Sequence, residues 1–337
     1  MEIEKILKLY SVYPLTVENI TTHLWKIYDG NRSYALKESK LSSGAIANWE
    51  RALKLADYHQ LSSFLPVYMT RNGQLYQEHL GKYYYLMPWI EQDSNRGDSR
   101  NLADFYSSIG LVHAKTKQSK QIDKDTFIRE FGTYEQACET LFNELNRTVA
   151  RFEQSHYMSP LELMVCTQFR DMELVFQNLT KRLKQLVYVS DDEQLTWNTS
   201  MCHGQLNRDH LLYHHHTQFI NWEQARYENA TMDLVHFFRA ETLDYDAPTS
   251  AYTEQFDSYI KENKLSEKEL QLLTIHLLHP FSYCRLIQEY VENASSQSMI
   301  VTTRQLQRAY RQLTFGLEWS DYVEKQYETI TFDDLEG

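Results

Sequence analysis

Residues Cys202 to Trp222 read CHGQLNRDHLLYHHHTQFINW. Two short runs of strand formers, Leu211–Tyr213 and Gln218–Trp222, flank His214-His215-His216-Thr217, so the stretch predicts a β-hairpin. His203-Gly204 stands before the hairpin and Trp222-Glu223 closes it. The histidine run invites a metal reading, but adjacent side chains on a strand point to opposite faces. A surface turn is the simpler account, and no metal site is assigned.

The spacing is that of a phosphoryl-transfer loop. Such chemistry needs few protein groups, placed well. A strand lysine holds the α/β-phosphates and a carboxylate orients it. An Asp accepts the hydroxyl proton, and an Asn and a second Asp hold Mg²⁺. In sequence the last three form His-x-Asp-x4-Asn, a hairpin, then Asp. Here those slots contain Gln205, His210 and Asn221. A carboxamide takes no proton at useful pH, and general-base help is typically worth about 10²–10⁴ in rate. Mg²⁺ prefers anionic oxygen, and imidazole suits softer metals. The frame of the motif is present and its charges are replaced, which predicts lost catalysis.

Around this stretch, 337 residues suffice for two lobes with sizeable cores. Apolar residues at 42% and charged residues at 24% describe an ordinary globular chain. A formal net charge of −12 repels phosphates overall and argues against nucleic-acid and anionic-membrane partners. Cys138, Cys166, Cys202 and Cys284 lie far apart with no CxxC pair. That argues against zinc and a disulfide framework, and for a reducing, cytosolic setting. The first residues, MEIEKILKLYSVYPL, lack the basic start and apolar run of a signal peptide. No apolar run is long enough to predict a membrane span.

Residues 1–88 read as a β-rich lobe around one helix. A short helix is expected over 3–12. Strands are expected at His23–Tyr28 and Ser33–Glu38, joined by the turn Asp29-Gly30-Asn31. A helix follows over Ile46–Gln60, with Ile46, Trp49, Leu53 and Ala56 on one face. Further strands are expected at Pro66–Thr70, Gln74–His79 and Tyr83–Met87. The polar segment EQDSNRGDSRN (91–101) reads as a linker. Residues 89–337 read as mainly helical, with helices over 98–118, 126–155, 158–185, 228–241, 250–263, 266–293 and 302–325. Pro280 should split the sixth, and 210–222 is the one β interruption. The acidic tail TFDDLEG should fray.

Three positions in the first lobe suit a nucleotide. Lys37 closes a strand and reads either as the phosphate-binding lysine or as a solvated strand-end residue. Glu50, on the next helix, is either its partner or an exposed glutamate. Met87, in Tyr85–Trp89, stands where backbone groups meet an adenine ring, or simply in a buried strand. No G-x-G-x-x-G lies over the first strands.

The chain resembles the aminoglycoside phosphotransferase and choline kinase-like superfamily. Its signature is His-Gly-Asp-x4-Asn, a strand pair ending Ile-Asp-Phe/Trp-Glu, then Asp-Leu. This chain gives His203-Gly204-Gln205, Ile220-Asn221-Trp222-Glu223 and Asp233-Leu234. The resemblance implies an α+β, protein-kinase-like two-lobe fold, with a β-rich N-lobe (1–88) and a helical C-lobe (89–337) carrying the loop and hairpin (202–222). It also implies that His203, Gly204, Glu223 and Asp233 are chiefly structural.

Within that superfamily the chain looks most like CotS-type spore coat proteins, YsxE-like first and YutH-like next. WKIYDGNRSYALKE, PVYMTRNGQLY and YYYLMPWI carry that likeness. It implies a structural or assembly component of the spore coat, made in the mother-cell cytoplasm and deposited with other coat proteins; with the replaced charges, the expectation is a catalytically inactive kinase-like protein, not an enzyme. No cofactor is expected, and the cleft between lobes is left to a peptide or small ligand. The rival reading is an active small-molecule kinase using ATP and Mg²⁺, with Asp209 or Glu223 replacing the lost acids. A third keeps nucleotide binding through Lys37 as a switch without turnover.

Overall fold

The computed structural model describes residues 2–39, 41–91, 99–188, 194–214, 216–292 and 297–328. The chain divides into two compact units. One comprises Met1–Gln118, Thr199–Asp233 and Gln255–Lys264; the other comprises Ser119–Asn198, Leu234–Glu254 and Leu265–Gly337.

The first unit starts with α1 (Glu2–Leu9), then β1 (Thr16–Thr21), β2 (Leu24–Tyr28), β3 (Ser33–Ser39), α2 (Ser43–Tyr58), β4 (Gln77–His79) and β5 (Lys82–Pro88). The strands form one sheet in the order β1-β2-β3-β5-β4, so β3 is central. Its Tyr34, Ala35 and Leu36 are buried, as a strand covered on both faces requires. Ile6, Leu7 and Tyr10 of α1 join Ile27, Tyr34, Leu36, Tyr84 and Leu86 in one core. The β2–β3 turn forms where expected: Asp29 Oδ1 accepts from the amides of Asn31 (2.9 Å) and Arg32 (2.7 Å). Leu80 and Gly81 both have positive φ, the condition for a two-residue turn between β4 and β5.

Next come α3 (Ser99–Thr116), β6 (Gln118–Asp123), α4 (Lys124–Glu153), α5 (Pro160–Tyr188), β7 (Gln194–Cys202), β8 (Leu211–His214), β9 (His216–Phe219) and β10 (Arg226–Glu228). In the first unit the end of β7 pairs with β10 and β8 pairs with β9. The last elements are α6 (Thr231–Glu241), α7 (Thr249–Glu254), α8 (Asp257–Glu262), α9 (Glu267–Leu277), α10 (Phe281–Val291) and α11 (Met299–Val323). In the first unit α3 packs on α8 and β9.

The second unit is built on α4, α5, α9, α10 and α11. They share a core that includes Leu145, Phe176, Leu179, Leu183, Ile275, Ile287, Leu306 and Leu313. The buried Arg182 donates to Ser320 Oγ (3.1 Å) and Ser320 O (2.8 Å) and pairs with Glu328, as a buried charge requires. Ser266 and Glu269 form a capping box at the start of α9. None of the described helices is long and apolar enough to cross a membrane.

Several expectations need correction. β1 was not expected: all six of its residues are exposed, so it carries no alternation. β6 is exposed except at Ile122, and with β7 and β10 it shows that 210–222 is not the sole β interruption. Pro66–Thr70 is not a strand; Tyr68 makes a single bridge to Leu86. The helix expected over 250–263 is two short helices, α7 and α8. The sixth helix does split at Pro280, which is the N-cap of α10. Most of the expected linker and all of the acidic tail lie outside the described residues.

Candidate active site

All the residues singled out for phosphate, metal and proton chemistry belong to the first unit. Lys37 sits on the central strand, opposite Tyr85 in the β3–β5 ladder. Its Nζ lies 2.7 Å from Glu223 Oε1 and 2.5 Å from Asn221 Oδ1. Tyr85 Oη donates to the same Glu223 oxygen at 2.8 Å. Burial, and then the Glu223 charge, hold the Tyr85 phenol well above its usual range, so it remains a donor. The lysine and glutamate side chains are 20% and 12% exposed, so the pair is shielded without being sealed.

The hairpin delivers these groups. After β9, Asn221 takes left-handed backbone angles (φ 64°), which asparagine and aspartate tolerate better than most residues. The chain then makes one tight turn over Trp222–Gln224. The Trp222 ring stacks on Phe64 with centroids 3.8 Å apart and lies 4.9 Å from the His203 ring. That clamp fixes where the Glu223 carboxylate points.

The other end of the motif is tied down by Asp233 at the start of α6. Asp233 is fully buried. Its oxygens accept from the amides of His203 (2.6 Å) and Gly204 (2.8 Å), and from His113 Nε2 (3.2 Å). Burial alone would raise its pKa; the hydrogen bond and charge of His113, helped by His203 and the Gly204 amide, outweigh it and hold the carboxyl below its usual value. His113 Nδ1 in turn meets Tyr259 Oη at 2.9 Å. Gly204 has φ +82°, and a Cβ there would lie 2.2 Å from the Gln224 carbonyl oxygen, so only glycine fits.

His203 Nε2 donates to the Ile220 carbonyl (2.8 Å), and its Nδ1 accepts from the Gln205 amide (3.3 Å). The Gln205 side chain is exposed. His210 is half-buried and donates from Nδ1 to the Gln205 carbonyl (2.8 Å), which leaves Nε2 as the ring nitrogen with a lone pair. Burial first, with the Lys37 charge adding to it, holds His210 below the ordinary histidine value. Asp209 is exposed on the turn before it.

Glu50 lines a cavity of about 560 Å³ beside α2 with Leu53, Lys54 and Asp57, and among the described residues no ion pair joins it to Lys37. Met87 is buried in β5 opposite Ala35. Sequence reasoning missed Tyr85, His113 and Tyr259. Tyr85 had one available signal, its pairing across the ladder from Lys37.

Among the described residues one group could offer three metal ligands: His113, Cys202 and Asp233, with donor atoms within 4.8 Å of one another. Their hydrogen bonds argue otherwise. The oxygens of Asp233 are occupied, and the Cys202 thiol contacts the carbonyls of Glu228 and Asn229 (both 3.6 Å). Burial raises that thiol well above its usual pKa, so it is no thiolate ligand.

The model of the phosphotransferase enzyme family matches residues 19–267, well over half of the chain. No curated protein is significantly similar to it in sequence. Among solved structures, an aminoglycoside phosphotransferase from Alicyclobacillus acidocaldarius is similar at 14% identity and a TM-score of 0.69, covering 95% of this chain and 96% of its own. A spectinomycin phosphotransferase matches at 11% identity and a TM-score of 0.57, covering 94% and 97%. An amicoumacin kinase solved with AMP-PNP and Ca²⁺ matches at 15% identity and a TM-score of 0.54, covering 99% and 96%. At these identities the likeness is one of fold. The fold is the expected α+β, kinase-like one, with a β-sheet N-terminal region and a mostly helical C-terminal part. The expectation of a non-enzyme is corrected: the matching family is one of phosphotransferase enzymes. The residues at 205, 210 and 221 depart from the motif, but the carboxylate of Glu223, which the motif also has, still meets Lys37 Nζ at 2.7 Å.

Proposed function

We propose, because the chain belongs to the phosphotransferase enzyme family, that it is an ATP-dependent kinase that phosphorylates a hydroxyl of a small metabolite. One observation carries the reading: Lys37 Nζ is held by two oxygens, Glu223 Oε1 and Asn221 Oδ1, at the end of the motif hairpin. Lys37 is the cation for the α/β-phosphates, and its pairing with Glu223 aims it in the absence of nucleotide.

The donor set suits Mg²⁺, which is commonly held by one or two carboxylates together with substrate phosphates. Glu223 and Asn221 would hold it, both through hard oxygens. A bound Mg²⁺ would neutralise charge on the phosphoryl oxygens. The proton acceptor is His210. Its Nδ1–H is fixed by the Gln205 carbonyl, and its depressed pKa keeps Nε2 unprotonated at neutral pH. Gln205, whose side chain takes no proton, contributes its backbone.

The substrate class follows from charge and from the neighbours. A chain of net charge −12 attracts cations. The similar structures are those of an aminoglycoside phosphotransferase, a spectinomycin phosphotransferase and an amicoumacin kinase. An amino sugar or amino alcohol carries both the hydroxyl and the positive charge. The CotS-type resemblance adds a place: the enzyme is made in the mother-cell cytoplasm and works at the spore coat beside other coat proteins. A fluorescent fusion followed through sporulation tests that; fluorescence that never reaches the spore removes it.

The kinase reading is tested by thermal melting with Mg·ATP. Wild type should gain several degrees and Lys37→Ala none, since only a ligand that prefers the folded state raises the melting temperature. No gain in wild type overturns it.

A further inference from the structure

We propose that the second unit contains a binding site for a small tetrahedral oxyanion, centred on Arg239 and separate from the kinase motif. A cavity of about 160 Å³ is lined by Arg239, His279, Ser282 and Gln312 among polar residues, with Leu277, Tyr283, Ala309 and Leu313 completing the wall. The Arg239 guanidinium donates to the His276 carbonyl (2.6 Å), and among the described residues no carboxylate pairs with it. The guanidinium is half-buried, and one carbonyl takes only one of its five N–H groups, so donors remain for a ligand. Among the described residues, the one acidic group that acts on it is the Tyr134 phenol, which burial keeps protonated.

The surroundings are arranged for an anion. Tyr134 Oη holds His279 Nδ1 at 2.5 Å, which leaves Nε2 as the free ring nitrogen. Tyr134 and Phe281 both stack on that ring, at 5.7 Å and 4.5 Å, and fix its plane. Ser282 stands in the first turn of α10, which has no acidic residue there and no side-chain cap, so its amides are not already taken by a carboxylate. His276 and His279 are both held down to about 4, by burial first and then by the Arg239 charge, so in the empty site only the guanidinium is cationic. Arg239 gives the charge, and His279 and Ser282 can donate hydrogen bonds; the Gln312 amide is held by the Arg239 carbonyl (2.7 Å). The ligand chemistry is that of phosphate, either as the free ion or as the head of a phosphate monoester.

Isothermal titration of the full chain with inorganic phosphate, and separately with glycerol 3-phosphate, tests this. Phosphate should bind at one site in wild type and in Lys37→Ala alike. In Arg239→Gln the affinity should fall at least about tenfold, the loss of one charge-assisted contact. If glycerol 3-phosphate binds as tightly, the site takes the monoester; if only phosphate binds, it takes the free ion. Should Arg239→Gln fail to fold, the wild-type protein decides: phosphate must shift the imidazole NMR resonances of His279 and His276. No heat, no shift, or full binding by a folded Arg239→Gln overturns the proposal. Loss of binding in Lys37→Ala alone does so too, since it moves the phosphate to the kinase site.

Discussion

The carboxylate of Glu223 lies 2.7 Å from the ammonium of Lys37, and the Tyr85 hydroxyl reaches the same oxygen at 2.8 Å. Three elements of the first unit thus converge on one charge: the central strand, its neighbour, and the turn after the hairpin. In the proposed kinase this would be the resting arrangement: the lysine holds an anion until phosphates arrive, and that anion would then share a cation with them.

Replacing Glu223 by Gln separates these roles. The pair is partly shielded, so its loss should cost about 1–2 kcal/mol, between the values for exposed and buried pairs. Urea denaturation measures that. Mg·ATP affinity should fall by about tenfold or more, because the site's one carboxylate donor is gone. Nucleotide affinity without Mg²⁺ should hold or rise, since Lys37 is released from its partner. Unchanged Mg²⁺ dependence would mean that Glu223 only anchors the lysine.

Asp233 predicts an acid-sensitive frame. Its folded-state pKa is lowered from an ordinary 3.8, so the ionised form is favoured in the folded protein. The stability it contributes is complete above the unfolded value and is lost as pH falls through the folded one. Asp233→Asn should remove that acid-side loss and cost about 2–4 kcal/mol at neutral pH, because a carboxamide offers one acceptor oxygen where two amides and His113 are served. Denaturation midpoints measured from neutral pH down to the acid limb check both.

The sequence displayed the frame of the motif but not the contacts its side chains make. His203-Gly204, Ile220, Trp222-Glu223 and Asp233-Leu234 were legible because their backbone roles admit few substitutes; Gly204, facing the Gln224 carbonyl, is the clearest case. The slots at 205, 210 and 221 suggested lost chemistry because a motif counts charges by position. Glu223 reads as a stand-in for the lost acids, but spacing does not show that its carboxylate turns back to Lys37. Glu50 read either as the lysine's partner or as an exposed glutamate, because a helix after the strand is where a partner is expected. Glu50 lines a cavity beside α2, and the direction in which a helix side chain points is not determined by spacing alone. The exposed β1 and the three-residue β10 had no pattern to read.

His210 should reveal itself in a pH profile. Protonation at Nε2 would remove the acceptor, so kcat/KM should rise with pH through a pKa below 6.5 and be level by neutrality. His210→Gln should lose about 10²–10⁴ in kcat with little change in Mg·ATP binding. The acid limb should disappear with the activity that produced it. A variant that retains both the rate and the limb would place the proton elsewhere, with Asp209 the next residue to change.

Asn221→Asp tests whether the cation is held at this end of the hairpin. The left-handed backbone at 221 accepts aspartate as it does asparagine, so the substitution should fold. The new carboxylate replaces the Oδ1 already 2.5 Å from Lys37 Nζ and adds a second anion beside Glu223. Without Mg²⁺ the two like charges share one lysine, and the apo protein should lose about 1 kcal/mol or less. With Mg·ATP the balance reverses, because two carboxylates and phosphate oxygens form a stronger hard-oxygen set than one carboxylate and an amide. Affinity for Mg·ATP should rise by about tenfold while Mg²⁺-free ATP binds more weakly. The opposite signs of those two shifts distinguish a metal position from a change in lysine pairing, which would move both the same way.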